Sequence, residues 1–474
     1  LEIFAPTAAS LSFNGGSASV TDLAARKWTY FEVTVPAEVD GEAVLGWDFR
    51  IKDWSGGDPE IVITRGDLPN VNGDSLYNPH LATAFSEGQR HASDIDSWLN
   101  WSNLNRNLLL PMGNPLEPGT YIIGIYNSHS SQSSTFTVES RGVGVGMGIP
   151  VIDATINGSQ AISSLARQET VVVRYDLSKP VSAWSLDLAG DTATPDADAL
   201  LVFREGWVPN AQAHGSATTV PYEYNGSLTQ QTVLDKVGGE QAVFLPDVGE
   251  THIPAGAYYA LIHSETEDGF PGDFVLTNST SVPVIDLGTV SSGSALQYTG
   301  DVSFGGVQFL SYTVGDLLWP MEIRVNSLNA SALYVSTNNQ GDGLPSTGRY
   351  GVVGGAYSQK YYGGLEDTEG APATGTRYLA IQSADVSDGI VQFQVTVREN
   401  APAPLGFDAS ALGGASSNSV NFDLENDEYA FYSVEVPETV GGQTFLGWLL
   451  EVSSNNGSLS LRAASGSVPL NAAS

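Results

Sequence analysis

A segment near the start of the chain is repeated near its end. Residues 28–47 align with residues 429–448 at an offset of 401 positions, and eight of the twenty aligned residues are identical. Further along, TRGDLP (64–69) matches ASGSVP (464–469) at an offset of 400. Two landmarks in the same order predict that one structural unit occurs more than once, which limits the possible folds more than any compositional feature.

Two weaker copies lie between the first and the last. VSAWSLDL (181–188) resembles VLGWDFRI (44–51), and LLWPMEIRV (317–325) is the third Trp-bearing segment. The aligned Trp residues follow one another at steps of 137, 135 and 129 residues. Solenoid repeats have a period of roughly 20–50 residues. Because the period here is much longer, each copy is predicted to be a domain with its own core.

We therefore predict three complete domains and the first half of a fourth. The predicted bounds are 1–149, 150–282, 283–403 and 404–474, with an insertion at about 70–116 in the first domain. Pro150, Pro283 and Pro404 lie in short junctions and restrict the backbone there. Half a sandwich exposes an apolar face and unpaired strand edges. Residues 404–474 are therefore expected to be completed by the rest of a longer chain or by a neighbouring chain.

The local pattern predicts an all-β fold. Alternating apolar and polar residues recur in short runs bounded by Gly, Pro, Asn and Asp, a pattern typical of β-strands. These runs include YFEVTV (30–35), IVIT (61–64), YIIGIY (121–126), TFTVES (135–140) and VQFQVTV (391–397). No long stretch has apolar residues at helical spacing. Many short strands with turn residues between them favour β-sandwiches or barrels.

Four segments resemble the bacterial pre-peptidase C-terminal (PPC) domain family. PDADALLVFREG (195–206) and NASALYVSTNN (329–339) are similar to one strand of that family, and PLEPGTYIIGIYN (115–127) and IPAGAYYALIHS (253–264) to a later one. The resemblance implies jelly-roll-like β-sandwiches, here in an elongated tandem array, in secreted bacterial proteins that often carry a peptidase or belong to large surface proteins. The Pro59–Glu60 pair departs from the Ala-Asp of the family motif.

Composition limits the partners and the compartment. The 53 Asp and Glu residues outnumber the 19 Lys and Arg residues, and the formal net charge is −34. This charge repels nucleic acid and anionic lipid. No apolar run approaches the ~20 residues that span a bilayer, so direct membrane insertion is not expected. Cysteine is absent, which excludes thiolate metal sites and cysteine nucleophiles. We expect an extracellular or cell-surface protein that self-associates or binds other matrix or surface proteins.

One Trp residue lies in the middle of a predicted strand of each copy. We interpret these residues as core anchors, because a mid-strand Trp between apolar neighbours is usually buried. A sugar-stacking platform is the alternative interpretation. The predicted anchors are Trp47, Trp184, Trp319 and Trp448. Four other Trp residues lie in turns or insertions and are the better candidates for carbohydrate contacts: Trp54, Trp98, Trp101 and Trp207.

Two acidic turns are candidate Ca²⁺ sites, since Ca²⁺ binds six to eight oxygen ligands that often include several carboxylates. The first candidate consists of Asp191, Asp196 and Asp198. The second, at the matching turn of the first domain, consists of Asp53, Asp58 and Glu60. The third and fourth copies have no acids at this turn, which argues against a structural metal shared by all domains. No cofactor is required by the pattern, and Ca²⁺ is the one candidate.

No catalytic motif is recognised in the chain. The six His residues show no zinc-protease spacing, and there is no nucleophile elbow or phosphate-binding loop. We therefore expect a protein that is not an enzyme. The favoured hypothesis is a structural or adhesive extracellular repeat protein that forms a stalk, fibre or surface layer. The alternatives are an accessory region of a larger secreted hydrolase and a carbohydrate- or matrix-binding module.

Overall fold

The computed structural model consists of β-strands, turns and loops. The residues that it describes are 7–66, 68, 90–91, 106–110, 116–167, 169–190, 197–209, 232–234, 239–246, 250, 252–264, 272–303, 306–319, 321–329, 333–338, 344–345, 350–353, 358–363, 374–383, 390–406, 420–421, 430–440, 442–444, 450, 452–454, 459, 461 and 463. None of these residues belongs to a helix that is long and apolar enough to cross a membrane. The all-β class predicted from the sequence is confirmed, and each alternating run quoted above lies within a strand.

The chain divides into two compact units. The first comprises Leu1–Val282 with Val386–Asp388, and the second comprises Pro283–Asp385 with Gly389–Ser474. The predicted domain bounds stay predictions, and most of the predicted insertion at 70–116 lies outside the described residues.

Within the described residues, the first unit has twenty strands. They are β1 (Ala9–Ser10), β2 (Gly16–Leu23), β3 (Trp28–Val35), β4 (Glu38–Val39), β5 (Glu42–Ala43), β6 (Gly46–Ser55), β7 (Pro59–Arg65), β8 (Arg90–His91), β9 (Arg106–Leu110), β10 (Gly119–Asn127), β11 (Ser134–Gly144), β12 (Ile149–Ala154), β13 (Ser159–Leu165), β14 (Thr170–Leu177), β15 (Trp184–Gly190), β16 (Ala199–Glu205), β17 (Thr232–Leu234), β18 (Glu240–Phe244), β19 (Gly256–Ser264) and β20 (Gly272–Ser279).

The first sandwich is formed by β1–β11. One of its sheets has the order β1-β3-β10-β7-β8, and the other contains β2, β11, β6 and β9. Alternate residues of β3 (Phe31, Val33 and Val35) point into the core between the two sheets. From the opposite sheet, Trp47 contacts Tyr121 of β10 edge-on, with ring centroids 5.5 Å apart. Period-2 alternation thus supplies one apolar face to each sheet.

The second sandwich is formed by β13–β20. Its sheets contain the strands β17-β16-β19-β14 and β13-β20-β15-β18. Trp184 of β15 lies at the centre of the core and contacts three aromatic rings edge-on: Tyr175, Phe203 and Tyr258. Edge-to-face packing places the positive ring edge against the negative ring face, which stabilises such clusters beyond their buried area.

Strand β12 connects a sheet of the first sandwich with a sheet of the second. It pairs in parallel with β11, where Val143 is opposite Ile149. It then pairs in parallel with β14, where Val151 is opposite Val172. The result is one nine-stranded sheet with the order β17-β16-β19-β14-β12-β11-β6-β9, in which β2 also pairs with β11. The backbone ladder is therefore not interrupted between the two sandwiches.

In the part of the second unit that the structure describes there are thirteen strands. They are β21 (Val284–Val290), β22 (Ala295–Ser303), β23 (Val307–Val314), β24 (Met321–Ser327), β25 (Leu333–Asn338), β26 (Tyr350–Val353), β27 (Ser358–Gly363), β28 (Gly375–Ser383), β29 (Ile390–Glu399), β30 (Ala403–Pro404), β31 (Tyr432–Ser433), β32 (Thr439–Val440) and β33 (Gln443–Thr444). The third sandwich, β21–β29, has the sheets β21-β23-β28-β25-β26 and β22-β29-β24-β27 around one apolar core. After it, β30 pairs in parallel with β31.

The predicted Trp anchors have three different outcomes. Trp47 and Trp184 are fully buried in their cores, as predicted. The prediction for Trp319 is wrong, because this residue precedes β24 and is half-buried. Met321, two residues later, takes the core position next to the buried acid of its strand and is 2% exposed. In this copy the position that corresponds to Trp47 is therefore Met321, two residues after Trp319. Trp448 lies outside the described residues.

Candidate functional site: a buried ionic cluster beside strand β12

The outward face of β6 carries two charges that a half-exposed strand would present to water. Trp47, Phe49 and Ile51 point into the first core, so Asp48 and Arg50 lie on the opposite face. Both charged side chains are nevertheless 0% exposed. A buried apolar cluster extends from β11 through β12 into the second sandwich: Val143, Ile149, Val151, Val172, Leu200, Val202, Val208, Tyr259 and Leu261.

Asp48 binds two guanidinium groups. Its Oδ2 atom accepts hydrogen bonds from Nε of Arg50 at 2.8 Å and from Nε and Nη2 of Arg141 at 3.0 and 2.7 Å. Nη2 of Arg50 lies 2.6 Å from the same oxygen. Strand register explains this arrangement, because Arg141 of β11 is directly opposite Asp48, and Arg50 is two residues along on the same face. Charge-assisted hydrogen bonds of this kind are about twice as strong as neutral ones.

A second carboxylate completes the set from the other sandwich. Glu169 immediately precedes β14, and its two oxygens lie 3.1 Å from Nη1 of Arg50 and 2.5 Å from Nη1 of Arg141. Two arginines therefore bridge one acid of the first sandwich and one acid of the second. We call these four residues the ionic clamp. Its formal charges cancel, which is the condition under which buried ions are tolerated.

The fields inside the clamp favour the ionised forms. Burial alone would raise the pKa of Asp48, but Arg50 and Arg141 outweigh burial and hold that pKa below its ordinary value. Burial would lower the pKa of Arg141, but Asp48 and Glu169 outweigh it and raise that pKa above its ordinary value. Asp48 and Arg141 are therefore both held in their charged forms.

A neutral histidine lies next to the clamp. His263 of β19 is 2% exposed, and its Nδ1 atom is 2.9 Å from the hydroxyl oxygen of Thr170. Burial and the nearby positive charge of Arg50 and Arg141 lower its pKa to about 3, against the opposing effect of Asp48. The imidazole is therefore uncharged near pH 7 and adds hydrogen bonding to the junction without adding charge.

The third sandwich repeats the first-sandwich half of the clamp. Glu322 of β24 is 1% exposed and accepts a 2.9 Å hydrogen bond from Nε of Arg324. It also accepts hydrogen bonds from Nε and Nη2 of Arg398 at 2.9 and 2.7 Å. Arg398 of β29 is directly opposite Glu322. An acid, an arginine two residues later and an arginine on the partner strand therefore occur in the same arrangement in both sandwiches.

The second sandwich lacks this set. Trp184 holds the position of Trp47, so Ser185 and Asp187 replace the acid and the arginine of β6. Ser279, opposite Ser185, stands where β11 has Arg141. The clamp is thus a property of particular domains and not a general feature of the repeat.

Sequence reasoning did not predict the clamp. In WDFRI (47–51) the charged residues alternate with apolar ones, which is the pattern of a strand with one face in water. That face is internal because of segments distant in sequence, such as the one that carries Glu169, and strand periodicity contains no information about them. A usable signal was present in the comparison of copies, because MEIRV (321–325) repeats the acid-x-Arg spacing in a chain with only 19 basic residues.

The predicted Ca²⁺ ligands are only partly described. Asp191 and Asp196 lie outside the described residues, whereas Asp198, Asp53, Asp58 and Glu60 are described. Within the described ranges, no group of three or more His, Cys, Asp or Glu residues could hold a metal ion. The carboxylate of Asp58 instead accepts a 2.9 Å hydrogen bond from the hydroxyl of Ser128. Calcium binding stays a prediction.

Two of the four candidate carbohydrate-contacting Trp residues are described. Trp54 is half-buried, packs against the first core and donates a 2.6 Å hydrogen bond to the carbonyl oxygen of Gly56. Trp207 is 40% exposed, and the guanidinium of Arg204 lies 4.9 Å from its ring centroid. Trp98 and Trp101 lie outside the described residues.

Comparison with known proteins gives likeness to solved structures only. No protein-family model matches the chain, and no curated protein matches it either. A pre-peptidase C-terminal domain of collagenase from Bacillus anthracis aligns with 24% of this chain and 95% of its own length, at 10% identity and a TM-score of 0.18. The cowpea mosaic virus top component aligns with 58% of this chain and 90% of its own length, at 10% identity and a TM-score of 0.17. The major capsid protein P2 of bacteriophage PM2 covers 50% of this chain and 96% of its own, at 12% identity and a TM-score of 0.14. Scores this low carry no argument.

Proposed function

We propose that this chain is a non-catalytic structural or adhesive protein of the extracellular space, built from tandem jelly-roll-like β-sandwiches in an elongated array. In this role the domains serve as a stiff spacer in a stalk, a fibre or a surface layer. The resemblance of its segments to pre-peptidase C-terminal domains supports the architecture. Self-association or binding to other matrix or surface proteins would then be its main interaction.

The observation that carries the proposal is the junction between the first two sandwiches. There the backbone ladder continues through β12, an apolar layer is buried and the ionic clamp joins Asp48 of one sandwich to Glu169 of the next. A flexible linker would require none of these features. Domains that are joined by main-chain pairing and a desolvated ion cluster hold a fixed angle, which a spacer or a layer requires.

The surface charge supports the same role. The formal net charge of −34 keeps such a chain soluble and monomeric until a specific contact forms. The negative charge also favours cations as partners over phosphate-bearing molecules and anionic lipids. On the basis of this charge we propose a location outside the cell or at its surface.

The shape and assembly of the full chain test the proposal. A single compact body of 474 residues would have a radius of gyration of about 23 Å. We expect small-angle X-ray scattering to give a clearly larger value, because an elongated array is longer than a single globule of the same mass. Electron microscopy of native surface material, labelled with antibody to the chain, should show fibres or a lattice. Compact monomers scattered through the medium, or constant copurification with a hydrolase, would contradict it.

Carbohydrate binding is the second candidate, and Trp207 is the observation that favours it. An exposed indole ring with the guanidinium of Arg204 beside it offers an apolar face and a hydrogen-bond donor side by side, which a sugar could use together. Binding on a glycan array that is lost in Trp207→Ala but kept in Trp54→Ala would support this function. An array without signal, or equal binding by both variants, would exclude Trp207 as the platform.

A further inference from the structure

The three sandwiches differ in how they protect one edge of a sheet. In each of them, an edge strand pairs within the described residues only with the last strand of its sandwich: β2 with β11, β13 with β20 and β22 with β29. The side of an edge strand that faces away from its partner presents backbone N–H and C=O groups to which another strand can bind. The shape of this side therefore decides whether the sheet can be extended.

A bulge interrupts the edge strand in the first two sandwiches. In β2 and in β13, one extra residue lies on the edge strand, next to a residue with positive φ, which is Asp22 at 52° or Ser164 at 56°. The N–H of Asp22 donates a 3.1 Å hydrogen bond to Oγ1 of Thr135. The N–H of Ser164 donates a 2.5 Å hydrogen bond to Oδ1 of Asp273. Bulges of this kind bend an edge strand and hinder its pairing with another chain.

The third sandwich has no bulge in β22, all of which is described. Gly300 holds the place of Val20, because each is opposite the one Phe residue of the last strand of its sandwich. Two residues later, where β2 has Asp22, Val302 pairs directly with Val391. The strands β22 and β29 thus form nine consecutive pairs without a register shift, and β22 is straight where β2 and β13 are bent.

The strand β22 also lacks the other features that protect an edge. Its sequence ALQYTGDVS contains no Pro or Lys, and Asp301 is its one charged residue. On the core side, Leu296 and Tyr298 pack against the third core but are only partly buried. In the part of the chain that the structure describes, hydrogen bonds to the backbone of 295–302 come from β29 alone. A straight, partly apolar edge with little charge is suited to pairing with another strand.

This edge is complementary to itself in antiparallel orientation. If Thr299 is opposite Thr299 of a second copy, Leu296 is opposite Val302 of that copy. The same register places Tyr298 opposite Gly300, which has no side chain. The core-facing residues of both copies then lie on one side of the extended sheet, whereas a shift by one residue would place them beside solvent-facing residues.

The same register avoids repulsion between the two edges. Asp301 is opposite Gln297 of the other copy, and the amide of Gln297 can donate a hydrogen bond to the carboxylate. The two Asp301 residues are four positions apart along the strands, or about 13 Å. This separation exceeds the Debye length of about 8 Å at physiological ionic strength. The contact is therefore compatible with the net charge of −34 on each copy.

We propose that β22 is a self-association site, at which the third sandwiches of two copies join by antiparallel pairing about a two-fold axis at Thr299. The proposal rests on the self-association that the proposed function includes, and it names the surface that this association uses. Such a contact is isologous, so it joins two copies and covers both edges at once.

Disulfide formation tests the pairing, because the chain has no native cysteine. In the proposed register, Thr299→Cys places two Cα atoms about 4.5–5.5 Å apart, which is within the range of a disulfide. We expect mild oxidation of the full-length variant to give a covalent dimer on a non-reducing gel. Ser19→Cys, at the matching exposed position of the bulged strand β2, is the control and should stay monomeric. Equal crosslinking of the two variants would overturn the proposal.

A second pair of variants tests the register. Gln297→Cys alone should not crosslink, because its two cysteines would be about 13 Å apart. A mixture of Gln297→Cys chains and Asp301→Cys chains should form the disulfide-linked heterodimer. If Gln297→Cys alone crosslinks as readily as the mixture, the axis at Thr299 is wrong.

Sedimentation analysis measures the association without engineered cysteines. Thr299→Lys places two ammonium groups opposite each other at an exposed position, so it should raise the Kd of the dimer several-fold and leave the fold intact. Ser19→Lys makes the same change of charge on β2 and should keep the native Kd. A native chain that stays monomeric, or a dimer that is unaffected by Thr299→Lys, would overturn this proposal. Fibres or a lattice formed by the Thr299→Lys chain would overturn it too, but would keep the proposed structural role.

Discussion

Asp48→Asn removes one charge from the ionic clamp and keeps the shape of the side chain. In the native protein, a single oxygen of Asp48 lies within 3.0 Å of four nitrogen atoms, which are Nε and Nη2 of Arg50 and Nε and Nη2 of Arg141. After the substitution two guanidinium groups share the single carboxylate of Glu169, and Arg50 has 0% exposure to water. Removal of one partner from a buried ion pair costs about 3–5 kcal/mol, so we expect a loss of stability in this range.

Asp153→Asn is the matched control. It is the same substitution in an acid that also binds an arginine, Arg174, at 2.7 Å, but its side chain is 61% exposed. Exposed pairs of this kind contribute about 0–1 kcal/mol. Urea unfolding of the full chain, with hydrogen exchange of β11, β12 and β14 to locate the change, separates the two variants. The exchange data are needed because a chain of several domains does not unfold in one step.

The expected loss of stability depends on burial of the acid and not on the number of hydrogen bonds, and the pair of variants tests this dependence. Equally small losses of stability in Asp48→Asn and Asp153→Asn would show that water or rearrangement of Arg50 compensates for the lost charge. The clamp would then not stabilise the junction, and the main observation behind the proposed structural role would be reduced to the strand ladder and the apolar layer.

Three further predictions concern other residues. His263 has a folded-state pKa of about 3, whereas the unfolded value is about 6.5, so between these values only the unfolded chain binds the proton. Stability of the first unit should therefore fall as the pH decreases from about 6.5 towards 3, and urea midpoints at pH 7 and pH 4 should differ less in His263→Gln. Trp47→Ala should reduce the free energy of unfolding by about 3–5 kcal/mol because the residue is fully buried, and Trp319→Ala should reduce it clearly less. Equal urea midpoints of the two variants would reject the assignment of Met321, in place of Trp319, to the third core. Glu322→Gln should speed hydrogen exchange in β24 and β29, with unchanged rates in the first unit as the internal control.

Strand identity and two of the core positions could be predicted because they depend on local pattern. Phe31, Val33 and Val35 alternate with polar residues, and that alternation alone assigns one face of β3 to the core. Trp47 and Trp184 lie between apolar neighbours in their strands and are buried as predicted. The prediction for Trp319 is wrong because matching the copies by their Trp residues gives a rare residue too much weight. The charged residues of MEIRV (321–325) match those of WDFRI (47–51) and give the correct register.

The candidate site could not be predicted because it depends on what covers a strand. Asp48 and Arg50 look like solvent-facing residues in the sequence, and Glu169 is 119 positions from Arg50. Their proximity results from the parallel pairing of β12 with both neighbours, and non-local pairing of this kind leaves no trace in local periodicity. The acidic turns illustrate the opposite case, because Asp53 and Asp58 are close in sequence without belonging to a described metal-binding group.

The parallel pairing of β12 has a mechanical consequence. If the chain is pulled from its two ends, β12 must slide along β11 or along β14 before the two sandwiches separate. In this geometry the ladder hydrogen bonds bear the load together, whereas a hairpin pulled open at its end loses them one after another. The junction should therefore separate at a higher force than the same few hydrogen bonds would withstand if they broke one after another. The ionic clamp should add to this force as long as its arginines bridge Asp48 and Glu169.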